Sequence, residues 1–220
     1  CYWHTTLLKL WWGTKNLERN IESLKKIIIV SSYCEDLARV FYKEKFEVFA
    51  ICFYNSLNLK NYCKKVITTK SLDSKSLFRI LKKIDPLNKM NILIGSGFTE
   101  TISEDVISKR NNYGNNFETI KKIKSRSFFE ELQKQKINFP SISQQPKNNG
   151  KWLIKEYQSY GGTKVKPYKK SLCINEKSYL QKFIQGDLIS VQFFVENKNI
   201  EVLAICEQVT INSKKGLFLI

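Results

Sequence analysis

The apolar positions in the first half of the chain predict strands that alternate with helices. Ile27 to Val30 form an uninterrupted apolar run, which is typical of a strand buried on both faces of a sheet. A helix should follow, because Ser32 and Glu35 have capping-box spacing and the next apolar residues recur every three or four positions. These apolar residues are Cys34, Leu37, Ala38 and Phe41.

The same alternation continues to residue 94. The pattern predicts strands at Glu47 to Phe53, near Val66 and at Asn91 to Ile94, with a helix around Ser76 to Lys83. Strands joined through helices indicate a parallel sheet with crossover connections. We therefore expect a Rossmann-like α/β domain in this half of the chain.

The last of these strands runs directly into Gly95-Ser96-Gly97-Phe98. Open α/β sheets bind ligands outside the carboxyl ends of their strands, so Gly95, Ser96 and Gly97 are candidate substrate-binding residues. The alternative is a tight turn that needs glycine only for its backbone conformation. The sequence leaves both interpretations open.

The pattern changes after a turn-rich stretch, Arg110 to Asn116. One helix is predicted from about Phe117 to Lys136. Its apolar face consists of Ile120, Ile123, Phe128 and Leu132. A polar loop from Gln144 to Gly150 and a strand at Lys151 to Lys155 are expected next.

The remaining chain contains short alternating runs separated by tight turns. The runs at Ser178 to Ile184, Leu188 to Val195 and Ile200 to Ile205 indicate antiparallel hairpins. The class therefore changes from parallel α/β to α+β. We expect a non-domain stretch at residues 1–14, an α/β domain at 15–115 and an α+β domain at 116–220.

The chain has a formal net charge of +17, from 37 lysines and arginines against 20 acidic residues. Such an excess can indicate a nucleic-acid or membrane partner. Only five of the cations are arginine, however, and the lysines are spread along the chain without the aromatic platform of nucleic-acid binders. We interpret the charge as compositional bias and expect neither nucleic acid nor membrane as a partner.

The cysteine and histidine content restricts the possible chemistry. The six cysteines form no Cys-x-x-Cys pair and several lie in apolar runs, which favours buried free thiols in a reducing, cytoplasmic location. His4 is the one histidine, so histidine-based metal sites and nucleophile–histidine catalysis are not expected.

The first residues contain a short apolar stretch, Leu7 to Trp12. It is too short to span a membrane, is interrupted by Lys9 and does not resemble a secretory signal. Because the chain begins with Cys1 rather than Met, we interpret this end as belonging to a fragment or a non-native extension.

Two features of the second half suit phosphate binding. Lys155 lies at the end of a predicted strand and supplies a point charge for nucleotide phosphates. Gly161 and Gly162 follow in a loop, where backbone amides can approach phosphate oxygens without a Cβ in the way. Alternatively, Lys155 is an exposed strand lysine and the two glycines form a hairpin turn.

A third feature suits adenine binding. The run Tyr179 to Ile184 ends before a turn at Gly186, which leaves backbone groups free to contact an adenine edge. Phe183 and Ile184 could supply apolar walls for the ring. An ordinary hairpin with buried aromatic residues is the alternative.

The order and spacing of these segments resemble the ATP-grasp superfamily, and in particular its predicted ATP-dependent carboligases. The resemblance covers roughly residues 25 to 210 and implies a pre-ATP-grasp α/β domain followed by an ATP-grasp domain. The matching segments are GSGFTE at Gly95 to Glu100, Gly114-Asn115, KINFP at Lys136 to Pro140, WLIKE at Trp152 to Glu156 with Gly161-Gly162, and Tyr179 to Phe193.

The resemblance implies roles for the residues near the phosphates. Lys155 is similar to the phosphate-contacting lysine of the family, and Gly161 and Gly162 to the loop that closes over the triphosphate. A second family cation lies on the helix before the KINFP segment. It corresponds to Lys124 or Arg126, and the spacing does not decide between them.

The resemblance also implies the residues near the nucleoside. Gln181 stands where the family has a Glu or Gln at the adenine edge. Lys182, Phe183 and Ile184 form the hinge whose backbone contacts adenine. Asp187 is a candidate ribose ligand, although it lies one position earlier than the ribose-binding Glu of many relatives.

ATP-grasp catalysis implies Mg²⁺ bridging the phosphates, because hard cations select oxygen ligands and neutralise charge during phosphoryl transfer. In the family the metal ligands lie some tens of residues after the position of Glu207, whereas this chain stops at Ile220. We therefore expect the ligands beyond residue 220, no metal ligand within the chain, and an ATP-grasp domain truncated at its C-terminus. No catalytic side chain is assigned.

The implied activity is ATP-dependent ligation of a small carboxylate through an acyl phosphate, with an amine or another nucleophile displacing phosphate. The protein would act mainly by positioning and charge neutralisation. One alternative is a non-catalytic nucleotide-binding or regulatory relative, and another is a basic nucleic-acid-binding domain with salt-sensitive binding. The carboxylate, the nucleophile and the oligomeric state stay open.

Overall fold

The computed structural model describes residues 25–70, 73–99, 102–146, 150–157, 159, 164–196, 199–213 and 216–219. The chain divides into two compact units, residues 1–121 and residues 122–220. The stretch 1–14, with His4, lies outside the described residues. The domain boundary at residues 115 and 116 stays a prediction.

The first unit is built on a four-stranded parallel sheet, as the alternating pattern predicts. Its strands lie in the spatial order β3-β2-β1-β4, so β1 is central and is flanked by β2 and β4. The four strands are β1 at Lys26–Val30, β2 at Glu47–Cys52, β3 at Lys65–Thr68 and β4 at Asn91–Ile94.

Apolar side chains cover both faces of this sheet. Ile27 and Ile29 of β1 belong to one core cluster, and Ile28 and Val30 belong to another. Alternate residues of a strand point to opposite faces, so an uninterrupted apolar run is what a doubly covered strand requires. All four side chains are fully buried, which confirms the predicted central strand.

Three helices and a short 3-10 helix accompany this sheet among the described residues. Helix α1 buries Ala38 and Phe41 together with its preceding residue Cys34, on the face that the apolar spacing predicts. None of the described helices is long and apolar enough to cross a membrane. The elements are α1 at Glu35–Lys43, the 3-10 helix at Leu59–Asn61, α2 at Ser74–Ile84 and α3 at Glu104–Ile107.

The capping box predicted at the start of α1 is wrong. The residue that precedes the helix is Cys34, which makes no side-chain capping hydrogen bond. The Ser32 hydroxyl lies 3.2 Å from the Ser96 hydroxyl instead, and Glu35 accepts a hydrogen bond from the Tyr33 hydroxyl. Ser32 is therefore part of a contact between two loops rather than of a helix cap.

The single helix predicted from Phe117 to Lys136 is two helices. Helix α4 covers Phe117–Ile123 and α5 covers Arg126–Lys134. Between them, the Ser125 hydroxyl accepts a hydrogen bond from the Phe128 amide at 3.2 Å and so caps α5. A serine that bonds to the backbone in this way offers an alternative to continuing the helix, which explains the break.

The second unit contains antiparallel sheets, which confirms the predicted change of class. Its four-stranded sheet has the spatial order β5-β8-β6-β7, and two further hairpins follow along the chain. The hairpin formed by β11 and β12 is not predicted by the sequence pattern. The strands are β5 at Ile142–Ser143, β6 at Trp152–Glu156, β7 at Lys166–Pro167, β8 at Ser178–Lys182, β9 at Ile189–Glu196, β10 at Asn199–Glu207, β11 at Thr210–Ser213 and β12 at Gly216–Leu219.

The buried core of the second unit lies in the four-stranded sheet, where Trp152, Tyr179 and Leu180 are buried. Phe129 of α5 packs on this sheet, with its ring 5.4 Å from that of Tyr179. The hairpin β9–β10 instead exposes one apolar face. The exposed apolar residues of β9 are Ile189, Val191, Phe193 and Val195.

Candidate functional site

The parallel sheet of the first unit has a point at which its strand order reverses. From β1 the chain passes to β2 on one side, and later to β4 on the other side. Open α/β sheets bind ligands at such a point, outside the carboxyl ends of their strands. The candidate loop Gly95 to Phe98 lies at this point.

Hydrogen bonds join this loop to the residues that follow β1. The Gly95 amide donates to the Val30 carbonyl at 2.7 Å, and the Ser32 amide donates to the Ser96 carbonyl at 2.8 Å. Sequence reasoning singled out the glycine loop but not Ser31 and Ser32. Their position directly after the central strand is the signal that could have identified them.

Both glycines of the loop have a structural reason to lack a side chain. A Cβ on Gly95 would lie 2.5 Å from the Ser31 hydroxyl oxygen, closer than unbonded atoms can approach. Gly97 has φ +87°, a left-handed conformation that side chains disfavour. The tight-turn interpretation therefore has direct structural support, while substrate binding by Gly95, Ser96 and Gly97 stays a prediction.

One residue of the loop is buried in the core and another is exposed to solvent. Phe98 is buried, and its ring stacks on Phe53 with the centroids 4.7 Å apart. Ser96 is exposed. Among the described residues of the loop, the Ser96 side chain is thus the group that a ligand at this edge of the sheet could reach. Glu100, at the end of the GSGFTE segment, lies outside the described residues.

In the second unit, the sheet brings three of the predicted nucleotide-binding residues to one face. Lys155 of β6 pairs with Tyr179 of β8, and Leu153 pairs with Gln181. Side chains two apart along a strand share a face, so Lys155 and Gln181 lie on the same side of the sheet. Phe183, which follows β8, continues the same alternation.

Lys155 has an unusual environment for a lysine. Its side chain is half-buried, and within the described part of the chain it forms no ion pair or hydrogen bond. Burial lowers the pKa of its ammonium group, because removal from water disfavours the charged form. The exposed strand lysine considered from the sequence is therefore not what the structure contains.

The hinge residues lie where β8 ends. The Lys182 amide donates to the Ser141 carbonyl and the Phe183 amide donates to the Lys151 carbonyl, each at 2.8 Å. These two donors are therefore occupied by the sheet. Ile184 lies beyond the strand and is 59% exposed.

The second predicted cation has two candidates, and their surroundings differ. Arg126, the first residue of α5, forms an exposed ion pair with Glu130, with Nε 2.7 Å from Oε1. Lys124 lies half-buried in the turn between α4 and α5. The choice between them stays a prediction.

The remaining predicted binding residues are Asp187, Gly161 and Gly162. Asp187 is exposed in the connection between β8 and β9. Gly161 and Gly162 lie outside the described residues. Their proposed roles at the ribose and the triphosphate stay predictions.

The acidic and sulfur side chains provide no metal centre in the described ranges, where no group of three or more His, Cys, Asp or Glu could hold an ion. The described residues thus contain no preformed cluster of three such ligands for Mg²⁺. The described cysteines are free: Cys34 and Cys52 are buried, whereas Cys173 is exposed.

The second unit matches a known protein family. Residues 122–219 match the family described as ATP-grasp domain, and this range nearly coincides with the second compact unit. The second unit is therefore similar to an ATP-grasp domain. None of the curated proteins matches the sequence.

Solved structures with the ATP-grasp fold are similar to both units. N5-carboxyaminoimidazole synthetase from Staphylococcus aureus is 14% identical, with a TM-score of 0.58 over 88% of this chain and 56% of that one. L-amino acid ligase from Bacillus licheniformis is also 14% identical, with a TM-score of 0.59 over 90% of this chain and 52% of that one. At these identities the similarity establishes the fold.

A third example is phosphoribosylglycinamide synthetase from Anaerococcus prevotii. It is 12% identical, with a TM-score of 0.58 over 87% of this chain and 54% of that one. The chain thus spans little more than half the length of these ATP-grasp proteins. The resemblance to the superfamily and the predicted fold class are confirmed.

Proposed function

We propose that this chain contributes the ATP-binding part of an ATP-dependent carboxylate ligase. In the proposed reaction, ATP phosphorylates a small carboxylate, and a nucleophile such as an amine then displaces phosphate from the acyl phosphate. The chain's own residues would bind and orient the nucleotide. Ligation is the activity named for several proteins of the same fold, including the ligase and synthetases described above.

The observation that carries the nucleotide part is the environment of Lys155. A half-buried ammonium without an anionic partner is unfavourable, and a bound anion would compensate for its lost hydration. Phosphate oxygens supply such an anion, and lysine is a common phosphate ligand. The lowered pKa supports a site in which Lys155 is paired only when ligand is bound.

The end of β8 offers complementary groups for an adenine edge. The Lys182 and Phe183 amides are occupied, whereas the Lys182 carbonyl and the Ile184 amide form no backbone hydrogen bond outside the strand pairing in the described part of the chain. They offer one acceptor and one donor. Adenine presents an amino donor next to a ring-nitrogen acceptor, so this pair suits its edge. Gln181 shares a face with Lys155, which supports a nucleotide running from the hinge towards that lysine.

Two of the similar structures contain ADP, from N5-carboxyaminoimidazole synthetase and from the related ribonucleotide synthetase. They support nucleotide binding as the shared property of the fold. Because the metal ligands are expected beyond residue 220, we assign no step to a metal ion. Buried free thiols at Cys34 and Cys52 favour a reducing compartment, and we propose a cytoplasmic location.

Nucleotide binding can be tested by titrating the chain with ATP and ADP in a calorimeter. Lys155→Gln should weaken ATP binding by roughly ten- to a hundredfold, the range of a charged hydrogen bond. Lys166→Gln is the matched control. It removes an exposed lysine of the same sheet whose partner in the register is Ile154, so it lies on the opposite face. Equal effects of both substitutions would reject the proposed nucleotide site.

Ligase activity needs a separate test, because a non-catalytic relative would also bind ATP. Because the metal ligands are expected beyond residue 220, the test uses the full-length protein, which is incubated with ATP, Mg²⁺, hydroxylamine and a panel of small carboxylates. An acyl phosphate is trapped as a hydroxamate with release of ADP. ATP binding without hydroxamate or ADP for any carboxylate would favour the non-catalytic alternative over the ligase.

A further inference from the structure

The first unit contains a pocket that none of the predicted site residues lines. It has a volume of about 300 Å³ and lies between the first turns of α2 and α3. Ligand pockets typically start at roughly this size. The residues that line it are Ser74, Lys75, Phe78, Arg79, Ser103 and Asp105.

The position of the pocket in the sheet topology favours a binding role. Helix α2 begins after β3 and α3 begins after β4, so both first turns lie at the carboxyl end of the parallel sheet. Ligands of open α/β folds bind at this end. The pocket is thus on the functional side of the first unit, among the helices that cover one face of the sheet.

The pocket has two cations without an anionic partner. Lys75 and Arg79 are one turn apart on α2, exposed, and neither forms an ion pair among the described residues. The start of α2 is already capped by Asp73, whose carboxylate accepts a hydrogen bond from the Ser76 amide at 2.8 Å. An anion in the pocket would therefore be held by the two side chains rather than by the helix end.

The opposite wall carries a negative charge. Asp105, in the first turn of α3, also lacks an ion-pair partner in the described ranges. It would repel a multiply charged anion such as phosphate, but it can accept hydrogen bonds from an ammonium or hydroxyl group. Arg79 offers the forked donor geometry that matches a carboxylate, and Phe78 contributes an apolar surface to the lining.

We propose that this pocket binds a small carboxylate that also carries an ammonium or hydroxyl group. The carboxylate would lie against Lys75 and Arg79, and the donor group against Asp105. An amino acid is the simplest molecule with this chemistry. The proposal depends on the first unit alone and would stand even if the proposed ATP site in the second unit failed.

The test compares three probes, each titrated into the chain and followed by calorimetry. L-aspartate carries two carboxylates and an ammonium group, succinate lacks the ammonium group, and inorganic phosphate is a bare anion. We expect aspartate to bind saturably and more tightly than succinate. Arg79→Gln and Lys75→Gln should each weaken aspartate binding by roughly three- to tenfold, between an exposed ion pair and a charged hydrogen bond.

Asp105→Asn should remove the preference for aspartate over succinate while leaving succinate binding equal or stronger. Lys83→Gln and Glu104→Gln are matched controls, because both charges lie on the same helices but do not line the pocket. No saturable binding of aspartate would overturn the proposal. So would equal effects of the pocket and control substitutions, or phosphate binding as tight as that of aspartate. ATP titrations of the same variants report the second unit separately.

Discussion

Arg110 and Asp85 form an ion pair in the interior of the first unit, with Nε of Arg110 3.1 Å from Oδ2 of Asp85. The two side chains are only 2% and 4% exposed. Asp85 follows α2 and also accepts hydrogen bonds from the amides of Lys89 and Met90. The pair therefore fixes the connection between α2 and β4 to the segment that follows α3.

Removing one member of this pair should be strongly destabilising. Asp85→Ala leaves a buried guanidinium without its carboxylate and two partly buried amides without their acceptor, which should lower the free energy of unfolding by about 3–5 kcal/mol. Asp36→Ala is the control, because its partner Arg39 is exposed and such pairs contribute at most about 1 kcal/mol. Urea unfolding of the two variants measures the difference. Similar losses for both would contradict the structural role of the buried pair.

A methyl group at residue 95 should be destabilising because of Ser31. The added Cβ of Gly95→Ala would lie 2.5 Å from the Ser31 hydroxyl oxygen and 2.8 Å from its Cβ. Such overpacking costs about 1–3 kcal/mol of stability. Ser31→Gly removes both clashing atoms, so the double variant Ser31→Gly/Gly95→Ala should lose less than the two single variants added together.

The control for this experiment is Gly186→Ala, because a Cβ at Gly186 would meet no atom within 4 Å. Thermal unfolding of the four variants gives the comparison. Two outcomes would mean that the Ser31 side chain does not restrict residue 95. One is an equal loss of stability for Gly186→Ala and Gly95→Ala. The other is a double variant that loses as much stability as the two single variants added together.

The hydrophobic pattern determined the first unit almost completely. The runs at Ile27 to Val30 and Asn91 to Ile94 are strands because an apolar run that must be covered on both faces has few alternatives. Local polar chemistry was harder to predict. Ser32 and Ser125 can each bond to a neighbouring amide or to a distant group, and only the folded chain decides which partner is near.

The individual residues of the candidate site could be predicted from the sequence, but not which of them lie on the same face of the sheet. The position of Lys155 on a strand follows from the sequence pattern, as does the end of the next strand near Ile184. Whether Lys155 shares a face with Gln181 depends on the register of β6 against β8, and a shift of one residue would reverse it. The pocket beside α2 had no sequence signal, because its charges come from segments about thirty residues apart.

The Ser125 hydroxyl should contribute to the stability of the second unit as the cap of α5. Ser125→Ala removes the acceptor of the Phe128 amide and should cost about 1 kcal/mol. Ser103→Ala is a matched control, because Ser103 precedes α3 but makes no side-chain capping hydrogen bond. Chemical denaturation measures both. Equal costs would show that Ser125 does not act as a cap.

Because of Lys155, the free energy of unfolding and the nucleotide affinity should change in opposite directions with pH. Burial lowers its pKa in the folded chain, whereas an unfolded lysine titrates near about 10.4. Between these two values the unfolded state binds more protons than the folded state, so the free energy of unfolding should increase with pH in this window. Nucleotide affinity should decrease over the same window, because the ammonium group that we propose to bind the phosphates loses its proton.

The Lys155→Gln variant isolates this effect, because all other titrating groups are retained. The difference in unfolding free energy between the original chain and the variant should change with pH only in the alkaline window below about 10.4, in favour of the original chain. The advantage of the original chain in ATP binding should disappear over the same range. Lys166→Gln, on the opposite face, should show neither trend. Parallel rather than opposite changes in stability and affinity would mean that Lys155 supports the fold but does not contact the nucleotide.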